Sequence, residues 1–217
     1  MNKRKIKTII FIILIINIVG DDIKPNFYKN IKLVKEPFTY DVLINKEYRL
    51  EEDYIPYDLV KIKLEFANNY KYLRKEACES FIKMSKQAKK HNLSIIGVSA
   101  FRSYKYQDNL YNYYVQEKGI KYADSASARP GHSEHQTGLA LDVMGSNNDY
   151  NLFGETNEFK WMIKNAYKYG FILRYPKNKE HITGFKYEPW HWRYVGIKVA
   201  KIIHNNNITL EEYQKKA

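Results

Sequence analysis

The stretch HSEHQTGLALDV, His132 to Val143, decides how this chain is read. Its last five residues, LALDV, form a strand. A strand turns successive side chains to opposite faces, so Leu139 and Leu141 share one face while Ala140 and Asp142 share the other. The leucine face belongs to a core, which leaves the carboxylate on the opposite side beside a small neighbour. Gly138 supplies a bend just before the strand and lets His135 fold back toward Asp142. Imidazole and carboxylate then meet at one point. A plain buried His–Asp hydrogen bond explains that meeting as well as a ligand pair does.

A second stretch bears on the choice. EPWHWRYVG, Glu188 to Gly196, carries Glu188 and His191 three residues apart with Pro189 between them. Along the strand WHWRYV, His191 and Arg193 face one way, and Trp190, Trp192 and Tyr194 the other. Pro189 turns the chain so that Glu188 and His191 overlook one cavity. Catalytic zinc commonly takes three protein ligands and keeps one position open. His135, Asp142 and His191 would supply two nitrogens and one oxygen. Glu188 would remain beside the metal without binding it, in reach of a water proton.

Other elements extend outward from these two. The stripe Leu73, Ala77, Phe81, Met84 and Ala88 predicts a helix over 68–90. LSIIGVSAF (93–101) reads as a buried strand, and SYKYQDNLYNYYVQEKG as a helix closed by Gly119. TNEFKWMIKNAYKYG reads as a helix capped by Thr156 or Asn157 and ended by Gly170. FILRYP (171–176) adds another strand, and Thr209 with Glu212 forms a capping box for a last short helix. No βαβ rhythm runs through this order. The expectation is an α+β fold, a small single domain with a mainly antiparallel sheet and helices packed around it.

SxHxxGxAxD, present as Ser133, His135, Gly138, Ala140 and Asp142, together with ExxH at Glu188–His191, resembles the zinc D-alanyl-D-alanine carboxypeptidases of the VanY type. FRSYKYQ (101–107), ARPGHSEHQTG, GFILRYP and KEHITGFKYEPWHWRYVG are similar to the same family, over roughly residues 40–200. The resemblance implies a Hedgehog/DD-peptidase-like fold with one zinc ion on His135, Asp142 and His191. It implies Glu188 as general base, and Arg102, Gln107 and Ser133 at the substrate. Its implied reaction is release of the C-terminal D-alanine from peptidoglycan stem peptides. An L,D-carboxypeptidase acting on tetrapeptide stems, or a non-hydrolytic zinc-containing wall-binding module, would carry much the same motifs. A carboxylate at position 188 favours hydrolysis.

Several residues keep a plainer reading beside the functional one. Arg102 ends a buried strand, where a cation calls for an internal salt bridge or an anionic ligand. Gln107 also reads as an exposed helix residue, and Ser133 as a turn residue without a nucleophile elbow around it. His132 and His181 are expected to border the cleft, and His91 and His204 to be surface residues. Cys78 cannot form an internal disulfide, since it is the only cysteine, and reads as a partly buried helix residue.

The ends of the chain and its charge suggest a compartment. Lys3, Arg4, Lys5 and Lys7 precede an apolar run from Ile9 to Val19, the pattern of a secretory signal or N-terminal anchor over residues 1–20. Residues 21–40, with Pro25 and Pro37, read as a linker, 41–205 as the zinc carboxypeptidase domain, and 206–217 as a C-terminal tail with a short helix. With the four leading basic residues set aside, 32 basic residues face 24 acidic ones, or +8. That charge suits an anionic cell wall or membrane surface. Nucleic acid is not expected, because no compact basic run follows residue 7 and export argues against it.

Overall fold

The computed structural model describes residues 27–146, 149 and 152–216. The apolar run of residues 9–19, and with it the expected signal or anchor, lies outside them. In chain order come β1 (Lys32–Leu33), β2 (Tyr48–Arg49), β3 (Leu59–Lys61), β4 (Tyr72–Arg74), α1 (Lys75–Lys89) and β5 (Ile96–Ser99). They are followed by α2 (Tyr104–Lys118), α3 (Ile120–Ala126), β6 (Ala140–Met144), α4 (Asn157–Asn165) and β7 (Phe171–Leu173). The last elements are α5 (Glu180–Thr183), β8 (His191–Tyr194), α6 (Ile197–Asn206) and α7 (Leu210–Gln214). The fold is α+β, as expected.

Its centre is a four-stranded sheet of order β5-β6-β8-β7 in which every pairing is antiparallel. The alternation read from the sequence is kept. Leu139, Leu141, Val143, Trp192 and Tyr194 enter the core with Phe81 and Met84 of α1. Asp142, His191 and Arg193 lie on the other face. Register places Asp142 directly opposite His191 and Ala140 opposite Arg193. Two strands far apart in sequence thereby set a carboxylate and an imidazole side by side. All five residues of the predicted helix stripe are fully buried, and Cys78 beside them is buried too.

Some boundaries move. Residues 68–74 are not helical: β4 pairs with β3, and the helix begins only at Lys75. The strand expected over 93–101 narrows to β5, and α3 was not foreseen. Residues 27–40 are not a free linker. β1 pairs with β2, the Tyr54 hydroxyl donates to the Pro37 carbonyl, and Tyr28 accepts a hydrogen bond from the Arg129 amide. Within 206–217 the short helix is present as α7, which carries the expected capping box and buries Leu210 and Glu211.

Candidate active site

The loop before β6 delivers the first imidazole. Glu134–Thr137 make one 3-10 turn that stops at Gly138, whose φ of +67° is left-handed. A Cβ there would lie 2.8 Å from Leu59 Cδ2, so this close turn needs glycine. It turns His135 onto the polar face, where Nδ1 donates to the Ala100 carbonyl at 2.7 Å. That bond leaves Nε2 bare and aimed at Asp142 Oδ2, 3.4 Å away. The second imidazole arrives by a different route. The His191 amide donates to the Glu188 carbonyl, closing a turn around Pro189. Nδ1 of His191 then sits 2.9 Å from Asp142 Oδ1.

His135, Asp142 and His191 are all buried and offer ligand atoms within 4.8 Å of one another. Two nitrogens and a carboxylate oxygen converging on one cavity fit the donor set of a catalytic zinc ion. The electrostatics divide the two imidazoles. Burial alone would raise the Asp142 carboxyl, but the two histidines hold it well below the usual range. Burial, reinforced by the nearby Arg102 charge, pushes His135 down to about 4 and keeps it neutral. For His191 burial is outweighed by Asp142 and Glu134, which lift it to about 9.

Glu188 lies 3.9 Å from His191 Nδ1, close to the ligand atoms but outside the set. Burial pushes its carboxyl up to about 7, with Asp142 adding to the rise and His191 and Arg102 opposing it. A carboxylate poised near neutrality suits a proton acceptor. Arg102 borders the same cavity, and no internal salt bridge holds it among the described residues. Its Nη1 donates to Ser99 Oγ at 3.2 Å, and its buried Nε has no partner. The cavity measures about 140 Å³ and is lined among others by Ser133, Ser127, Ala128, Phe185 and Trp190.

Other expected residues fall elsewhere. Gln107 is not exposed but 1% accessible, and it stands behind the cavity wall. It donates to Ser127 Oγ and the Ala128 carbonyl, so it shapes that wall and does not line it. His132 is buried against Asn45 and Tyr28, and His181 lines a separate hollow beside Lys46. Neither borders the cleft. His91 and His204 are at the surface, as expected, with His204 stacked on Tyr167.

The sequence reading missed the group that supports His191. Glu134 is buried against Arg174 and Arg193, at 2.7 and 2.6 Å, and both cations hold its carboxyl well below the usual range despite burial. Glu211 from α7 takes the other side of Arg174 at 2.7 Å. One signal was available: cations inside the otherwise apolar strands FILRYP and WHWRYV require buried anions.

Residues 70–197 match the family model VanY, D-alanyl-D-alanine carboxypeptidase. The protein named "Putative carboxypeptidase YodJ" of Bacillus subtilis (strain 168) is 47% identical over 193 residues, 86% of this chain and 71% of its own. The solved LdcB LD-carboxypeptidase superposes with a TM-score of 0.82 at 46% identity, covering 87% of this chain and 92% of that one. A vancomycin resistance D,D-pentapeptidase VanY variant, solved in complex with Zn(II), gives 0.67 at 31% identity over 81% and 98%. On the matched motifs, the shared fold and this extent of identity, the chain belongs to the VanY family of D-alanyl-D-alanine carboxypeptidases.

Proposed function

We propose that the protein is a zinc-dependent carboxypeptidase that removes the C-terminal D-alanine from peptidoglycan stem peptides. One observation carries the reading: a carboxylate outside the donor set, Glu188, and an arginine with no acidic partner among the described residues, Arg102, both line the cavity that holds the three-residue donor set. His135, Asp142 and His191 would hold a zinc ion there, which would supply a Lewis acid for the scissile carbonyl and for the attacking water. Glu188 accepts the proton of the attacking water and returns it to the leaving amine. Arg102 receives the substrate carboxylate or the developing oxyanion with charge-assisted hydrogen bonds. Ser133 lies within the cavity lining to hold the terminal residue, and Gln107 keeps the Ser127–Ala128 wall in place.

The similarity to LdcB favours a second reading, cleavage of tetrapeptide stems with an L-configured penultimate residue. Incubation with pentapeptide and tetrapeptide stems, followed by mass spectrometry of released D-alanine, separates the two. Loss from the pentapeptide alone gives D,D-specificity, and loss from the tetrapeptide gives L,D-specificity. Release from neither, with wall fragments still bound, would overturn hydrolysis in favour of a binding module. The basic leader, the apolar run and the +8 charge of the remainder support export to an anionic wall or membrane surface.

A further inference from the structure

The two imidazoles of the donor set must present opposite ring nitrogens, and each needs its proton held on the other one. For His135 the holder is a backbone carbonyl. For His191 it is a side chain with no role assigned so far. Glu134 Oε2 lies 3.4 Å from His191 Nε2, on the far side of the ring from Asp142. Its other oxygen, Oε1, accepts from Arg174 Nε at 2.7 Å and from Arg193 Nη1 at 2.6 Å. Those two guanidiniums are themselves fixed. Arg174 makes a two-bond fork with Glu211, and Arg193 donates to the carbonyls of Tyr40, Val42 and Tyr194.

We propose that Glu134 is the positioning residue that keeps the proton of the neutral His191 ring on Nε2 and so leaves Nδ1 bare for the metal. A carboxylate only accepts, so Oε2 calls for a proton on the nitrogen it faces. The arginines make the choice directional. In Glu134→Gln the amide oxygen must face the two arginine donors, since its nitrogen cannot accept from them. The NH₂ then faces Nε2 and donates to it, and the ring proton moves to Nδ1, where it blocks ligation.

The inference rests on His191 being a zinc ligand, and the experiment keeps the two claims apart. Zinc affinity of the full chain is measured by competition with a chromogenic chelator for wild type, Glu134→Gln and Glu211→Gln. Glu134→Gln should bind ~10–100-fold more weakly. Glu211→Gln, which alters Arg174 without touching His191, should stay within about threefold of wild type while lowering Tm. In the zinc-loaded wild type, ¹⁵N NMR of the imidazoles should show His191 protonated at Nε2 and metal-bound at Nδ1. That measurement decides the matter even if Glu134→Gln does not fold. A deprotonated Nε2, or unchanged affinity in a folded Glu134→Gln, overturns the role of Glu134 while leaving the zinc reading intact. Failure of the wild type to bind zinc removes the zinc reading itself.

Discussion

At the scale of single residues, Glu188 and Arg102 make different demands on a variant. Glu188→Gln keeps the shape and the donor set, so it should fold and retain zinc. An amide cannot take a proton from the attacking water, and turnover should fall ~10²–10⁴-fold. Steady-state kinetics on the cleaved stem peptide, beside zinc content by elemental analysis, checks both halves. Arg102→Ala should cost about 3 kcal/mol of transition-state stabilisation, near 10²-fold in kcat/KM, as a lost charge-assisted contact does. Arg102→Lys should recover little, because a point charge lacks the guanidinium fork. Near-wild-type rates for Arg102→Ala would reduce this residue to a structural part of the strand end. The meeting of His135, Asp142, His191 and Glu188 was legible in the sequence because period-two alternation and one proline turn fix where those side chains point. Glu134 was not. Its meaning depends on Arg174 and Arg193, which no spacing around His132–Asp142 brings into view.

Among the elements, β6 is held at both ends. Gly138 starts it with a left-handed turn, and Gly138→Ala would drive a methyl group against Leu59 and Arg74 in a conformation that disfavours side chains. The variant should lose at least about 1 kcal/mol of stability by chemical denaturation, and its zinc affinity should weaken because the turn spaces His135 from Asp142. Beyond the other end, Glu158 of α4 clamps the segments flanking β5 and β6 by accepting from the Ser94 and Ser146 amides and the Ser146 hydroxyl. Burial would raise this carboxyl, yet its own backbone amide and those donors hold it below the usual range. A group depressed in the folded state stabilises above its unfolded pKa and loses that contribution as pH falls through the folded value. Glu158→Gln should therefore flatten the acid limb of a stability–pH curve, and an unchanged limb would remove Glu158 from that role. The helix expected over 68–90 shows where local pattern yields. Its stripe is buried throughout, but Leu73 belongs to β4, whose pairing with β3 claims residues 72–74 as strand, a tertiary contact that helical periodicity cannot report.

For the whole molecule, metal and chain terminus both bear on stability. Zinc at a thousandfold excess over its Kd should add about 4 kcal/mol. Removal by a chelator should therefore lower Tm by roughly 10 °C for a domain of this size. Differential scanning calorimetry with and without zinc reads that shift directly. The residues taken for a tail matter as much. Glu134, Arg174, Arg193 and Glu211 form a fully enclosed group of two anions and two cations. Glu211→Ala should destabilise by about 3–5 kcal/mol, since it strands half of a buried pair. Truncation after Thr209 should be worse, because Leu210 is lost from its cluster as well.

That enclosed group also sets an order in time. Chains are made from the N-terminus, and Glu211 is synthesised after all three ligands and both arginines. Until it emerges, Arg174 and Arg193 would share one carboxylate, and closing β7 and β8 over them would trap a net positive charge. The growing chain therefore carries its donor set early but cannot shut the sheet around it until α7 has left the ribosome. A released chain that stops before residue 211 should remain sensitive to protease across β7 and β8, and one that extends through α7 should be protected.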